Sequence, residues 1–598
     1  MSWNPVPWRT VGEAGPDQQT PDLSPILQEI VERPGWSSGN ALAIILTGTG
    51  KRVAEAFDGD VNGAPLLRVR YLVGGNTAPI ATITAPPDGS SVAQGDPVTL
   101  TGAATDVEDG DLSASLAWVS DRDGALGMGA SVTRSDLSMW TQTIWAWAKD
   151  SGGLGALDHI ALMVTNPRSA PRAFPGAEGF GANAVGGRGG GVIEVTNLND
   201  HGPGSLRAAV NASGPRLVVF RVGGTIELDS SIEIRNPYIT IAGQTAPGQG
   251  ITLKNSPKNA KTPLKIETHD AIVRYIRSRP GSNPNETGTL DAITIANESG
   301  DVYNVIVDHS SFSWATDEVS NVYYAAHDIT VQWSILGEGL DCATHIEHGV
   351  RQCHSMGMLL GSVGSRDLSI HHNLFAHNRH RNPRIKTMGT TDVVNNVVYN
   401  SGSGNGWRAP TYAHGGRAVV PVNYIANYFK PGPDSGSAEW FIDTAEVVEV
   451  YIGGNIVPKA VIDPDSRDML VGTRHPAAPI TTTSALAAYS RVLAEAGASR
   501  GLNCDGTFYA TRDRVDERIV NDVKQGTGRI IDDPSEVGGW PNLVGGIPCA
   551  DSDHDGMPDE FETLYGLDPT DASDGPADSD GDGYTNVEEF LNSTAPAR

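Results

Sequence analysis

A chain of 598 residues exceeds what one hydrophobic core holds, and its 70 glycines, 38 prolines and 19% charged residues suit turn-rich β structure rather than helical bundles. The formal net charge of −28 argues against a nucleic-acid partner and for cations. No apolar run reaches membrane-spanning length, and residues 1–5 show no signal peptide, so neither a membrane span nor a leader is expected in this chain.

Residues 24–31 open on a serine cap and a first-turn proline and carry one apolar face, which predicts a short helix; residues 41–46 and 65–71 predict strands. Together, residues 1–73 resemble part of a jelly-roll-like accessory module. A Gly- and Asn-rich linker at 73–79 leads to residues 77–165, where strands such as 97–102 and 142–148 alternate with Asp- and Gly-rich turns. This stretch resembles the Ig-like β-sandwiches of bacterial secreted proteins, with Trp118, Trp145 and Trp147 read as core rather than as a sugar platform.

A second linker, 166–171, precedes a long run of short strands with an internal repeat. Ser310, Ser334, Asn373, Asn396, Asn427 and Asn455 each sit between apolar neighbours, stepping by 24, 39, 23, 31 and 28 residues. A polar residue recurring at one bend of each coil can bond the turns above and below it, while its apolar neighbours fill an interior. The expected fold is therefore all-β. A right-handed parallel β-helix occupies 173–547, β-sandwich-type modules precede it, and a small calcium-loop module occupies 548–598. Helices at 484–497 and 512–525 are expected to lie across the solenoid. His309, His371 and His372 read as wall residues rather than zinc ligands, with Asp308 ordering that wall.

The chemistry concentrates where an acidic chain turns locally basic: Arg366, Arg379, Arg381, Arg384 and Lys386 are five cations within 21 residues. That is a site for an anion, and Arg is the side chain shaped to grip a carboxylate. The Gly-rich segment 173–182 lacks the strand-to-helix context of a phosphate loop. With 192–198, 204–209, 218–226, 272–281, 290–293, 305–309 and 381–383 it resembles family 1 polysaccharide lyases, the pectate lyases, from about residue 173 to about residue 533.

The resemblance implies a calcium-dependent β-elimination that cleaves polygalacturonate. Arg381 would be the base at C5, Arg379, Arg384 and Lys386 would bind substrate, and Asp291, Asp317 and Asn321 would hold calcium. Three departures stand out: Lys386 replaces the motif's last arginine, Asn321 replaces a carboxylate, and Met356 replaces a substrate-binding lysine. Strand alternation points Glu318 away from Asp317. An arginine base implies an alkaline optimum.

Between residues 551 and 598, fourteen Asp and Glu against one Arg supply −13 of the net charge. Asp551, Asp553, Asp555, Met557, Asp559 and Glu562 stand at positions 1, 3, 5, 7, 9 and 12 of a calcium loop, with Gly556 at its turn. Asp578, Asp580, Asp582, Tyr584, Asn586 and Glu589 repeat the pattern, the seventh residue of each loop offering its backbone carbonyl. These loops resemble dockerin or thrombospondin type 3 loops, and their expected role is structural. The four cysteines fall in two nearby pairs, Cys342 with Cys353 and Cys504 with Cys549, and are read as disulfides of an exported protein. The expected protein is thus a secreted monomeric lyase. A polygalacturonase-like hydrolase on the same fold and a non-catalytic polysaccharide-binding adhesin are the alternatives.

Overall fold

The computed structural model describes residues 18–37, 76–165, 171–361, 364–402, 420–435, 448–457 and 468–596 as continuous stretches, with short pieces elsewhere. Most of the strand expected over 65–71 and most of the linker at 166–171 lie outside the described residues. Two compact units divide at Thr77 and Ala78. In the first, the predicted helix forms over Ser24–Val31, but Ser24 is its first helical residue rather than its cap; the N-cap position is Leu23, whose side chain caps nothing, and Asp22 Oδ1 accepts from the Ser24 N–H at 2.9 Å. Residues 41–45, expected as a buried strand, are exposed and carry no strand pairing.

The second unit begins with two sheets around one core. Ile80–Ala85, Val98–Asp106, Gly110–Asp111 and Ser131–Arg134 form the first, and Ser90–Ala93, Gly155–Thr165, Trp140–Lys149, Ala117–Ser120 and Gly124–Met128 the second. Alternation along Val98–Asp106 turns Leu100 and Ala104 inward against Trp118, Ile144 and Leu162. Trp118 is fully buried, but Trp147 is 45% exposed, so the three tryptophans do not share one role. The sandwich is fixed to the rest of the unit by Arg122, which pairs with Asp328 at 3.5 Å and with Asp367, and by Trp140 edge-on to Phe180 at 5.3 Å.

From Gly191 the chain winds into three long parallel sheets. One has eleven strands, from Gly191–Val195 to Leu470–Val471; the other two have eight each. Register is strict: Val218, Ile241, Val273, Val307, Val331, Ile370, Val393, Tyr424 and Ile452 are successive partners in one interior row. This is a parallel β-helix. The segment at Phe180–Asn183 lies against its wall, with Gly181 N–H donating to Thr330 Oγ1 at 2.9 Å. A Cβ on Gly181 would meet the Val305 carbonyl oxygen at 2.2 Å, so only glycine allows that approach.

The polar ladder runs as the repeat predicts. Ser310, Ser334, Asn373, Asn396 and Asn427 each donate a backbone N–H to the side-chain oxygen of the next rung, at 2.8–3.1 Å. Before each rung stands a residue with left-handed backbone: His309, Trp333, His372, Asn395, Ala426 and Gly454, with φ between 44° and 65°. Left-handed geometry costs a non-glycine residue about 1–2 kcal/mol, and the rung's hydrogen bonds offset it at every bend. The side chains at these bends stack in turn, Tyr275 on His309, His309 on Trp333 and Trp333 on His372, at 5.0, 5.9 and 4.3 Å.

Asn396 is buried, and its amide bonds Asn373, Ile370 O and Asn427. Asn396→Ala is expected to cost about 3 kcal/mol, because several buried groups lose their partner at once. Denaturant unfolding followed by far-UV circular dichroism checks this.

Helices Ala485–Glu495 and Arg514–Gln525 lie across the outer face of the second sheet, packing Val492, Leu493, Val515 and Ile519 on Ile335, Leu374 and Val397. Beneath them the buried Arg279 bonds Asp513 and Asp516. Disulfides join Cys342 to Cys353 and Cys504 to Cys549. Among the described residues no helix is long and apolar enough to cross a membrane.

Candidate active site

The third parallel sheet builds the site, because its outward positions stack as strictly as its core. Lys265, Thr294, Asn321, Leu359 and Arg384 are successive partners across five strands, and Lys386 follows Arg384 two residues on. Just before two of these strands the chain sets its carboxylates. Asp291 precedes Ile293–Ile295, is buried, and accepts from Thr294 Oγ1 at 2.6 Å and from the Glu318 N–H at 3.1 Å. Asp317 precedes Glu318–Val322.

One carboxylate oxygen from each of Asp291, Asp317 and Glu318 lies within 4.8 Å of the others. Glu318 therefore joins Asp317 instead of pointing away from it. Alternation holds only inside a strand, and Asp317 lies in the turn before one. Burial, and then the Asp317 charge, hold the Asp291 carboxyl well above the usual carboxylate range. The Asn321 Oδ1 is buried without a hydrogen-bond partner.

Arg381 adopts left-handed backbone, φ 59°, and its guanidinium pairs with Glu318. Burial lowers the Arg381 pKa, opposed by the charges of Asp317 and Asp291. Burial pushes Arg384 down to about 10, helped by the Arg381 charge, and Lys386 down to about 8, helped by Arg384 and Arg381. Arg379 stands differently: its guanidinium bonds both oxygens of Asp341 at 3.0 Å.

Met356 pairs with Glu318 in strand register and bridges to His380, so this departure from the lyase motif lies against the carboxylate group. Two histidines that the sequence did not mark also reach it. His354 Nε2 lies 3.0 Å from Asp317 Oδ1, and His345 stacks on His354 at 3.9 Å. Both lie on the excursion that the Cys342–Cys353 disulfide closes, or next to it. Their only signal in the sequence is the 39-residue step between Ser334 and Asn373. His309 and His371 are wall residues. His309 bonds Asp308, which also binds Arg274 and Gln332, and His371 bonds His372.

In the tail, Asp551, Asp553 and Asp555 bring oxygens within 4.8 Å of one another. Asp559 instead takes the Ser552 N–H and Oγ at 2.7 and 2.8 Å, and Asn586 Oδ1 takes the Ser579 N–H at 3.2 Å. Burial foremost, with the neighbouring carboxylates, pushes Asp555 up to about 7, Glu562 up to about 8 and Glu589 up to about 7. The Met557 N–H donates to Asp555 Oδ1, and the Tyr584 N–H to Asp582 Oδ1. Asp578 holds the Gly581 and Gly583 N–H groups, and Asp580 the Asp582 N–H.

No family model matches the chain. "Probable pectate lyase C" of Aspergillus terreus is 40% identical over 450 residues, covering 72% of this chain and 95% of that protein. The same-named protein of Emericella nidulans is 38% identical, covering 73% and 96%. "Putative pectate lyase 14" of Arabidopsis thaliana is 30% identical over 44% of this chain and 60% of its own length. A solved pectate lyase from Bacillus sp. N165, in complex with trigalacturonate, aligns with 54% of this chain and 98% of its own, at 17% identity and a TM-score of 0.36. The β-helix assignment rests on the strand register described above rather than on that likeness. With such relatives the chain is an enzyme, a polysaccharide lyase. It belongs to the pectate lyase family.

Proposed function

We propose that the chain cleaves polygalacturonate by calcium-dependent β-elimination with Arg381 as the base, and that the two tail loops bind structural calcium. The observation that carries the reading is the half-buried Arg381 guanidinium set against the Asp291, Asp317 and Glu318 group, with Arg384 and Lys386 beside it. The carboxylate oxygens there, and the unpartnered buried Asn321 Oδ1, are the hard donors calcium takes. Bound there, calcium would neutralise a uronate carboxylate and acidify its C5 hydrogen.

The chain's own residues supply the rest. Arg384 and Lys386 hold carboxylates of the sugar chain, Arg384 in the two-pronged manner that Lys386 lacks. Arg381 accepts the C5 proton in its neutral form. From an ordinary pKa of about 12.5, neutrality at about pH 9 costs roughly 5 kcal/mol, and burial reduces this. Glu318, paired with Arg381, is not free to serve as the acid of a hydrolase. The two disulfides support export to an oxidising compartment.

Product absorbance on polygalacturonate, with and without a calcium chelator, tests this function. Unsaturated product is expected with calcium and none with chelator; reducing ends without ultraviolet absorbance would defeat it. The pH dependence divides between two residues. Raising the pH from 7 to 10 is expected to raise kcat as Arg381 gives up its proton. Over the same range KM rises, because Lys386, cationic below about 8, becomes neutral above it. Lys386→Arg keeps its charge and should lower KM at pH 10 by about fivefold, roughly 1 kcal/mol, with KM at pH 7 little changed.

A further inference from the structure

The twelve-residue pattern leaves the first tail loop with oxygens that nothing within the loop serves. Its ninth residue, Asp559, is occupied by Ser552. Asp551 gives one oxygen to the His554 N–H at 2.8 Å and faces Arg221 with the other at 3.5 Å. Meanwhile both carboxylate oxygens of Glu562, a residue with no exposed surface, are buried without a hydrogen-bond partner, and so is Asp555 Oδ2. The group that faces them comes from outside the loop. Asp574 Oδ1 is buried and unpartnered as well, while its Oδ2 accepts from the Asp568 N–H at 2.9 Å. An oxygen from each of Asp555, Glu562 and Asp574 lies within 4.8 Å of the others, a spacing that suits the first shell of one hard cation.

The backbone around Asp574 belongs to the second loop. The Asp574 carbonyl accepts from Asn586 Nδ2 at 2.8 Å, the Gly575 carbonyl from the Val587 N–H at 3.1 Å, and the Ala577 carbonyl from the Asn586 N–H at 2.7 Å. Those donors begin the helix Asn586–Asn592, which carries Glu589, the last ligand position of the second loop. Gly575 makes the junction close: a Cβ there would stand 2.3 Å from Asp555 Oδ2.

We propose that Asp574 is a calcium ligand of the first loop, and that through its own backbone it couples the two loops, so that filling one site arranges the other. The proposal rests on the calcium reading of the two loops. Coupling of this kind is reciprocal and shows as cooperative binding.

Calcium titration calorimetry on the full chain carrying Asp291→Asn, which removes the cleft's contribution, tests it. Two tail ions are expected to bind cooperatively. Adding Asp574→Asn should weaken both at least tenfold and remove the cooperativity. Gly575→Ala, which keeps every charge, should do the same by pushing a methyl group into Asp555. Asp559→Asn, an equal loss of charge at the position turned to Ser552, should change either affinity by no more than about twofold. If Asp574→Asn weakens one ion alone, or neither, the proposal is overturned. If the parent binds no tail ions and Glu562→Gln and Glu589→Gln change nothing, the calcium reading of the loops fails and takes the proposal with it.

Discussion

Arg381→Ala is expected to lower the rate of unsaturated product formation by about a thousandfold at pH 9, with affinity for the polymer changed by less than about tenfold. The magnitude reflects the contribution of a positioned acid–base group, about 10²–10⁴ in rate. The split comes from the row itself: Arg384 and Lys386 continue to hold the substrate's carboxylates, while the group beside Glu318 that takes the proton is gone. Arg381→Lys separates charge from geometry, since a lysine keeps a cation near Glu318 without the guanidinium fork. Single-turnover kinetics, with binding measured separately, checks both variants. A tenfold or smaller loss of rate in Arg381→Ala would remove Arg381 from the role of base.

Asp291→Asn is expected to act in opposite directions on activity and on stability. Activity at sub-millimolar calcium should fall at least a hundredfold, with the calcium needed for half-maximal rate rising, because the site loses one of its three convergent carboxylates. Stability in chelator at pH 8 should rise by about 2 °C in melting temperature. The folded Asp291 carboxyl titrates well above the unfolded value, so the folded chain binds a proton there that the unfolded chain has already released. Without a cation, stability therefore falls as pH rises from about 4 toward the raised value. Asparagine does not titrate and escapes that loss. Differential scanning calorimetry of both proteins, with chelator and with excess calcium, separates the two effects. Equal melting temperatures in chelator, or a lower one for the variant, would contradict the buried-charge account.

The solenoid was legible in the sequence because its ladder repeats a local necessity. Each coil must bend at one place, the bend leaves backbone donors to satisfy, and a short polar side chain between apolar neighbours satisfies them. Coil length can vary, but the residue type at the bend has little latitude. The helices over 485–495 and 514–525 were legible for a similar reason, since their caps at Ser484 and Asp513 are local.

The features that escaped the sequence depend on contacts made across long separations. Strand alternation predicts Glu318 and Asp317 on opposite faces, yet their oxygens converge, because Asp317 lies in the turn before the strand, where alternation does not apply. Arg379 reads as part of a basic cluster, yet Asp341 pairs with it across a loop whose course the local pattern does not encode. His345 and His354 reach Asp317 through that same excursion. Trp145 and Trp147, two residues apart on one strand, share its outer face, where Trp145 is half-buried and Trp147 stands exposed opposite Leu157; of the three tryptophans, Trp118 is the one that turns into the core.

The ladder has one more consequence. Each rung touches only its neighbours above and below, so a peptide of any length inserted between two rungs leaves the pitch of the coil unchanged. The longest interval, between Ser334 and Asn373, already carries such an insertion, pinned at its base by Cys342 and Cys353 and delivering two imidazoles to the cleft. Such a scaffold behaves like a rack of interchangeable cassettes. New sugar preferences can be tried by lengthening, shortening or exchanging one excursion, while the spine that keeps the catalytic row in line is inherited intact.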